Sequence, residues 1–227
     1  MDVPTTADGD SIDYVAGQLR EMTAFIEDNT GKKLDMDVLK QYAYRTKETL
    51  DNFRECLELK RNVTIPNDIT SEMYEVFLTH PLLGTEDTLK YSRMLRDELK
   101  AAPKKSGIRL LWMHTIPYFQ APLRDRLNFN DKCQIVGCDM NIENLIDTDP
   151  EKPYESMAKR LVESGFNGSS ENRIEMSLRA ARELDVDGVI YFCHWGCKQT
   201  SGAAQLVKRR LEAAGFPRLA PCCNCLT

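Results

Sequence analysis

No run of apolar residues in this 227-residue chain approaches the length of a bilayer span; the longest are short, such as GVIYF at 188–192. The opening stretch, MDVPTTADGDSIDY, is polar and acidic, without a charged n-region leading into an apolar h-region. Neither a membrane span nor a secretory signal is read from it, and a cytoplasmic location is expected. Basic side chains are not in excess either. Thirty Lys and Arg stand against thirty-five Asp and Glu, for a formal net charge of −5, and no arm or stripe of cations stands out. Phosphate backbones are held by clustered cations, so nucleic acid is excluded as the expected partner. No repeat of fixed period occurs, and no low-complexity tract lies beyond the first ten residues.

What is present is a hydrophobic content of 42%, enough to bury a core of ordinary size in one or two domains. Cysteine is plentiful and uneven. Of eight, Cys56, Cys133 and Cys138 are scattered, while Cys193, Cys197, Cys222, Cys223 and Cys225 fall in the last 35 residues. Without a secretory signal, such a cluster reads as metal ligands, catalytic groups or buried thiols rather than a disulfide framework.

The chain divides into a polar tail (1–10), a helical segment (11–105) and an α/β part (106–227). From about Ser11 to Asn29 the residues Ile12, Val15, Ala16, Leu19, Met22 and Ile26 recur at helical spacing, and Asn-Thr-Gly at 29–31 stops the helix. Asp35 caps a second helix to about Leu59. A third is expected over about 71–79 and a fourth over about 85–102, closed by Pro103. After Ser106 the pattern changes. GIRLLWMH (107–114), CQIVGCDM (133–140) and DGVIYFC (187–193) read as strands buried on both faces, with helices at about 153–164, 171–184 and 201–214 between and after them. Strands alternating with helices predict a doubly wound parallel sheet.

In such a sheet, ligands collect beyond the carboxyl ends of the strands. The segment YFCHWGCKQTSG (191–202) occupies that place: a strand ends near Cys193 and a helix begins near Ser201. Cys197 then sits at a positive helix end, which favours thiolate over thiol. The residues alone leave three readings open. The cysteines are inert buried thiols; or Cys193, His194 and Cys197 bind zinc, with help from the tail cysteines, of which Cys223 is one; or thiolates from several loops hold an iron–sulfur cluster. The spacing C-x3-C followed by C-C-x-C is not the paired CxxC form of a strong zinc signal.

The segment HWGCKQTSGAAQLVKRRLEAAGFPRL, preceded by DVDGVIYF, resembles the C-terminal signature of the 2-hydroxyacyl-CoA dehydratase family, which includes benzoyl-CoA reductase subunits. GIRLLWMHTIPYFQAPLRDRLN and PYESMAKRLV are similar to the family's second α/β domain, and TGKKLDMDVLKQ to its interdomain helices. The resemblance implies a flavodoxin-like domain, preceded by an interdomain helical segment and incomplete at its C-terminus. It implies a subunit that pairs with a homologous second subunit, and a four-iron four-sulfur cluster with Cys197 as the matching ligand. It further implies a separate ATP-dependent activator supplying one electron, and an acyl-CoA substrate that loses water through a ketyl radical. The family's other ligand cysteines lie in an N-terminal domain expected to be missing here, and APCCNCLT after FPRL reads as a truncated or frame-shifted end. On that expectation the chain alone is inactive. The rival from another class is a metal-binding or subunit-interaction module without catalysis, with zinc on the cysteine-rich tail.

His114, at the end of the first strand, shares the sheet edge of Cys197 by strand polarity and is a candidate for substrate contact. Trp195, with Tyr118 and Phe119, is a candidate for an acyl pocket, and Lys198 and Gln199 for hydrogen bonds to a thioester or phosphate oxygen. The plain alternatives are a satisfied loop histidine, packing aromatics and a solvated helix turn.

Overall fold

A computed structural model describes residues 1–219 apart from 118, 144, 195 and 217, and the side chains of all of those described but 78, 218 and 219. The helical first part opens with α1 (Gly9–Thr30). Asp8 caps it, its carboxylate accepting the Ser11 N–H at 2.8 Å, and Gly31 ends it in the left-handed region that a helix stop of this kind requires. Asp35 caps α2 (Met36–Lys60) as its position before an amphipathic run predicts. The expected third helix is divided. An α-helical piece, α3 (Ile69–Tyr74), gives way to a 3-10 turn at Phe77–Leu82 that contains Pro81, which has no N–H to give to an α-helical ladder. α4 (Glu86–Ala101) follows, capped by Thr85.

Among the described residues, four parallel strands form one sheet: β1 (Ile108–Met113), β2 (Cys133–Cys138), β3 (Gly188–Tyr191) and β4 (Arg218–Leu219), in the order β2-β1-β3-β4. That is the flavodoxin-like order of strands. Between them run α5 (Ala121–Leu127), α6 (Asp139–Ile142), α7 (Pro153–Val162), α8 (Ser170–Glu183) and α9 (Lys198–Ala213). The periodicity had not signalled α5, α6 or β4. At seven, four and two residues they are too short to show a repeat.

Side chains alternate across β1. Leu111 and Met113, with Val189 and Tyr191 of β3, pack under Ile174, Leu178 and Ala181 of α8 and Val207 of α9. Leu110 and Trp112, with Ile135 and Ile190, face the other way against Ile69 and Met73 of α3 and Leu127 of α5. Both faces are covered, which is why these strands read as unbroken apolar runs. β1 and β2 slip register between Leu110 and Leu111, and Gly137 lies just past the slip. A Cβ on Gly137 would stand 2.7 Å from Leu184 Cδ1, so only glycine leaves room for that core leucine.

The sheet core draws on residues either side of position 106, since α3 forms part of it. Two buried polar groups tie α2 to its neighbours, one to α3 and one to β1. Lys60, at the end of α2, donates to Glu72 of α3 (2.9 and 3.1 Å) and to Glu75 (3.1 Å). Arg109 in β1 donates to the carbonyl of Lys60, to Thr64 Oγ1 (3.1 Å) and to the carbonyl of Leu184 (3.1 Å). A third core joins Val15, Ala16 and Leu19 of α1 to Tyr154, Ala158 and Val162 of α7. Met22 and Ile26, expected on the same buried face of α1, are exposed. The reason is length: α1 has 22 residues and α7 has 10, so roughly 33 Å of helix meets roughly 15 Å of partner. Among the described residues no helix is long and apolar enough to cross a membrane.

Candidate functional site at the carboxyl edge of the sheet

Three strand ends deliver chemistry to one edge. Beyond β1 stands His114, beyond β2 Asp139, and beyond β3 the run Phe192–His194 leading to Cys197. His114 adopts φ 77°, a left-handed conformation that few side chains take, and its backbone N–H donates to Asp139 Oδ1 at 2.8 Å. The other carboxylate oxygen, Oδ2, accepts from Arg173 Nε of α8 at 2.7 Å. Asp139 is fully buried and Arg173 nearly so. Burial pushes the Asp139 carboxyl up, against the pull of Arg173 and of the N–H groups it accepts. The pair thus locks the turn that carries His114 to the first turns of α8.

The Phe192 ring lies between the two histidines of this edge. It stacks on His114 with centroids 6.4 Å apart at 21°, and meets His194 at 6.5 Å and 60°. Burial, with Arg173 and His194 adding, pulls the His114 pKa down to about 4. Its imidazole is therefore neutral at pH 7. A neutral ring can hydrogen-bond a thioester carbonyl or a hydroxyl, but it is no cation for a phosphate.

Cys197 is the N-cap residue of α9 and is partly exposed. Its carbonyl accepts the Ser201 N–H at 3.0 Å and the Ser201 hydroxyl at 2.9 Å, while its own N–H donates to the His194 carbonyl at 2.9 Å. The Thr200 hydroxyl and then the Thr200 N–H hold the thiol below the ordinary cysteine range. Burial opposes them, and the Gln199 N–H and the charge of Arg173 add lesser pulls in the same direction as Thr200. A thiol so placed gives up its proton more readily than an ordinary cysteine, and the thiolate is the form that ligates metal or attacks an electrophile. Thr200 is itself anchored, because its carbonyl accepts the Tyr191 hydroxyl at 2.7 Å.

The expected residues are distributed as follows. His114 and Cys197 come to the same edge, and both feel the charge of Arg173. Lys198 and Gln199 open α9 with exposed side chains, next to the Cys197 cap. Cys193 is partly buried beside the apolar face that α8 and α9 cover. Trp195, Tyr118 and Cys222, Cys223 and Cys225 lie outside the described residues. Phe119 is 69% exposed. Sequence reasoning passed over Asp139 and Arg173. A carboxylate directly after a strand was a usable signal for the first; an arginine on a helix with several others offered none for the second.

An iron–sulfur cluster needs several thiolates, and a zinc site needs three or four Cys, His or carboxylate donors. Among the described residues, no three Cys, His, Asp or Glu side chains stand close enough to hold a metal ion. Cys138 and Cys56 are buried with their thiols pushed up, Cys56 to about 12, which disfavours the ligating form. Cys197, with its thiol held low, is better placed as a donor than either of these two. Cys193, His194 and Cys197 are not grouped as three donors among the described residues, and the tail cysteines that the zinc and cluster readings also draw on lie outside them.

The sequence pattern of residues 1–223 matches the model of one family, 2-hydroxyglutaryl-CoA dehydratase, D-component. The chain belongs to this family. No curated protein matches it closely enough to be named beside it. The edge just described brings a cysteine with a lowered pKa, a neutral histidine and a buried carboxylate–guanidinium pair to the carboxyl ends of the strands, where this fold class presents ligands. The match and the strand order together account for the fold class expected from alternating strands and helices.

Proposed function

We propose that this chain is the Cys197-bearing component of a cytoplasmic, oxygen-sensitive dehydratase that removes water from a 2-hydroxyacyl-CoA. The observation that carries the reading is Cys197 itself, capping a helix at the carboxyl edge of a parallel sheet with its thiol held low by Thr200, in a chain of this family. In the proposed assembly, Cys197 is one thiolate among those of a four-iron four-sulfur cluster. The remaining donors come from outside the described residues. A homologous second subunit and an ATP-dependent activator complete the enzyme, and one-electron, ketyl-type elimination is the chemistry implied. The net reaction is redox-neutral: the 2-hydroxyl leaves with a hydrogen from the neighbouring carbon as water, and a 2-enoyl-CoA remains. For its part the chain orients and excludes. His114 offers a neutral imidazole to the acyl group, and the Asp139–Arg173 pair keeps its turn in place.

The test is anaerobic turnover of a 2-hydroxyacyl-CoA by the chain combined with the second subunit and activator, followed as enoyl-CoA formed. Expected are turnover with the native chain, none with the chain alone, loss by orders of magnitude with Cys197→Ser, and retention with Cys133→Ser. Equal rates for the native chain and Cys197→Ser would sink the proposal.

A further inference from the structure

A cavity of about 570 Å³ lies between the first half of α2, the 3-10 turn and α7, and none of its walls belongs to the sheet edge that carries Cys197. One side is apolar, formed by Val38, Leu39, Tyr42, Leu83 and Met157. The other carries His80, Thr148 and Arg160, and each contributes a buried polar atom with no hydrogen-bond partner: His80 Nε2, Thr148 Oγ1 and Arg160 Nε. Thr148 is 9% exposed, so water does not freely satisfy it. Buried polar atoms are ordinarily paired, because leaving one unpaired costs about 1–3 kcal/mol. Three around one cavity mark the place of a missing polar group. The cavity of about 600 Å³ among α6, α7 and α8 has none among its lining residues.

Charge selects the class of ligand. Arg160 has no ion-pair partner among the described residues, and Glu143 acts on it only from a distance. His80, beside it, is neutral at pH 7, its pKa pulled down to about 4 by burial and then by Arg160. Asp149 also lines the cavity, with one carboxylate oxygen accepting the Glu151 N–H at 3.0 Å in its own turn. One unpaired guanidinium with a carboxylate nearby suits a monoanion and disfavours a dianion such as phosphate. We propose that this cavity binds an aliphatic carboxylate: the carboxylate on Arg160, hydrogen bonds completed by Thr148 and His80, and the chain against Val38, Tyr42 and Met157. The site is independent of the Cys197 edge and of any cluster.

Calorimetric titration of the full chain with sodium octanoate tests it, with octanol and inorganic phosphate as probes of the tail and of the charge. Saturable one-to-one binding of octanoate is expected, weakened at least about tenfold by Arg160→Gln, with octanol weaker by a similar factor and phosphate inert. Val38→Trp fills the apolar side from a position that is 44% exposed, so it keeps the fold and is expected to abolish binding even if Arg160→Gln does not fold. Absence of saturable binding to the native chain, indifference to both substitutions, or competition by phosphate would overturn the proposal. Self-association in sedimentation that Val38→Trp abolishes, without octanoate uptake, would instead make the cavity a contact between copies and overturn it equally.

Discussion

Two cysteines of this chain sit at the same sheet edge with opposite chemistry. Cys138, closing β2, is fully buried and its thiol is pushed well up, whereas Cys197, capping α9, is reached by the N–H groups and the hydroxyl of the helix start and is held low. Both residues cap helices, Cys138 that of α6, so the difference lies in burial and the neighbouring Asp139 charge at Cys138 against the Thr200 hydrogen bonds at Cys197. Iodoacetamide at pH 7 is therefore expected to label Cys197 well ahead of Cys56 and Cys138, read by peptide mass mapping. Thr200→Val keeps the side-chain shape and removes the hydroxyl that does most to lower the thiol. It should slow labelling of Cys197 several-fold and leave Cys133 unchanged. Equal labelling of Cys197 and Cys138 would refute this account of the site. The location of Cys197 was legible in the sequence because a strand, a short loop and a helix follow in order. The Asp139–Arg173 lock was not, since the two lie 34 positions apart and only folding brings them to 2.7 Å.

The elements that periodicity predicts are those long enough to bury a stripe: α1, α2, α4, α7, α8, α9 and the three longer strands. What joins them is less visible. Gly107, with φ 70°, makes the turn into β1, and a Cβ there would stand 2.3 Å from the Asp131 carbonyl oxygen. Gly107→Ala is expected to lose more than about 1 kcal/mol, seen as a lower urea midpoint with an unchanged slope. Lys60 is the second joint. Its ammonium, 15% exposed, faces the Glu72 and Glu75 carboxylates, which are 5% and 8% exposed. Burial pushes the Glu72 carboxyl up, with Glu75 adding to the push and Lys60 opposing it. Lys60→Met leaves two carboxylates in apolar surroundings without their cation. A loss of about 3–5 kcal/mol is expected from denaturant unfolding, and a loss below 1 would mean the triad is well hydrated.

For the molecule as a whole, the two half-buried histidines give stability a direction in pH. His80 and His114 both have pKa values pulled from about 6.5 to about 4, chiefly by burial. Between those values the unfolded chain binds protons that the folded chain refuses. Their contribution is thus fully present above pH 6.5 and is lost as pH falls towards 4. A melting temperature lower at pH 5 than at pH 7.5 is expected, with a smaller drop for His80→Phe. No drop at all would show that both rings protonate freely in the folded chain.

Composition and period by themselves determined that this chain buries a core, carries no membrane-length helix among its described residues, and alternates strand with helix after a helical lead. They also placed Cys197 at a loop entering a helix. Those features are local, set by side chains a few residues apart. The tertiary structure alone decided that α3 roofs one face of the sheet, that half of α1 stays uncovered, that Asp139 pairs with Arg173, and that His80, Thr148 and Arg160 share one cavity. Each depends on contacts between residues far apart in the chain, and burial and charge compensation are properties of such contacts, which no local pattern encodes.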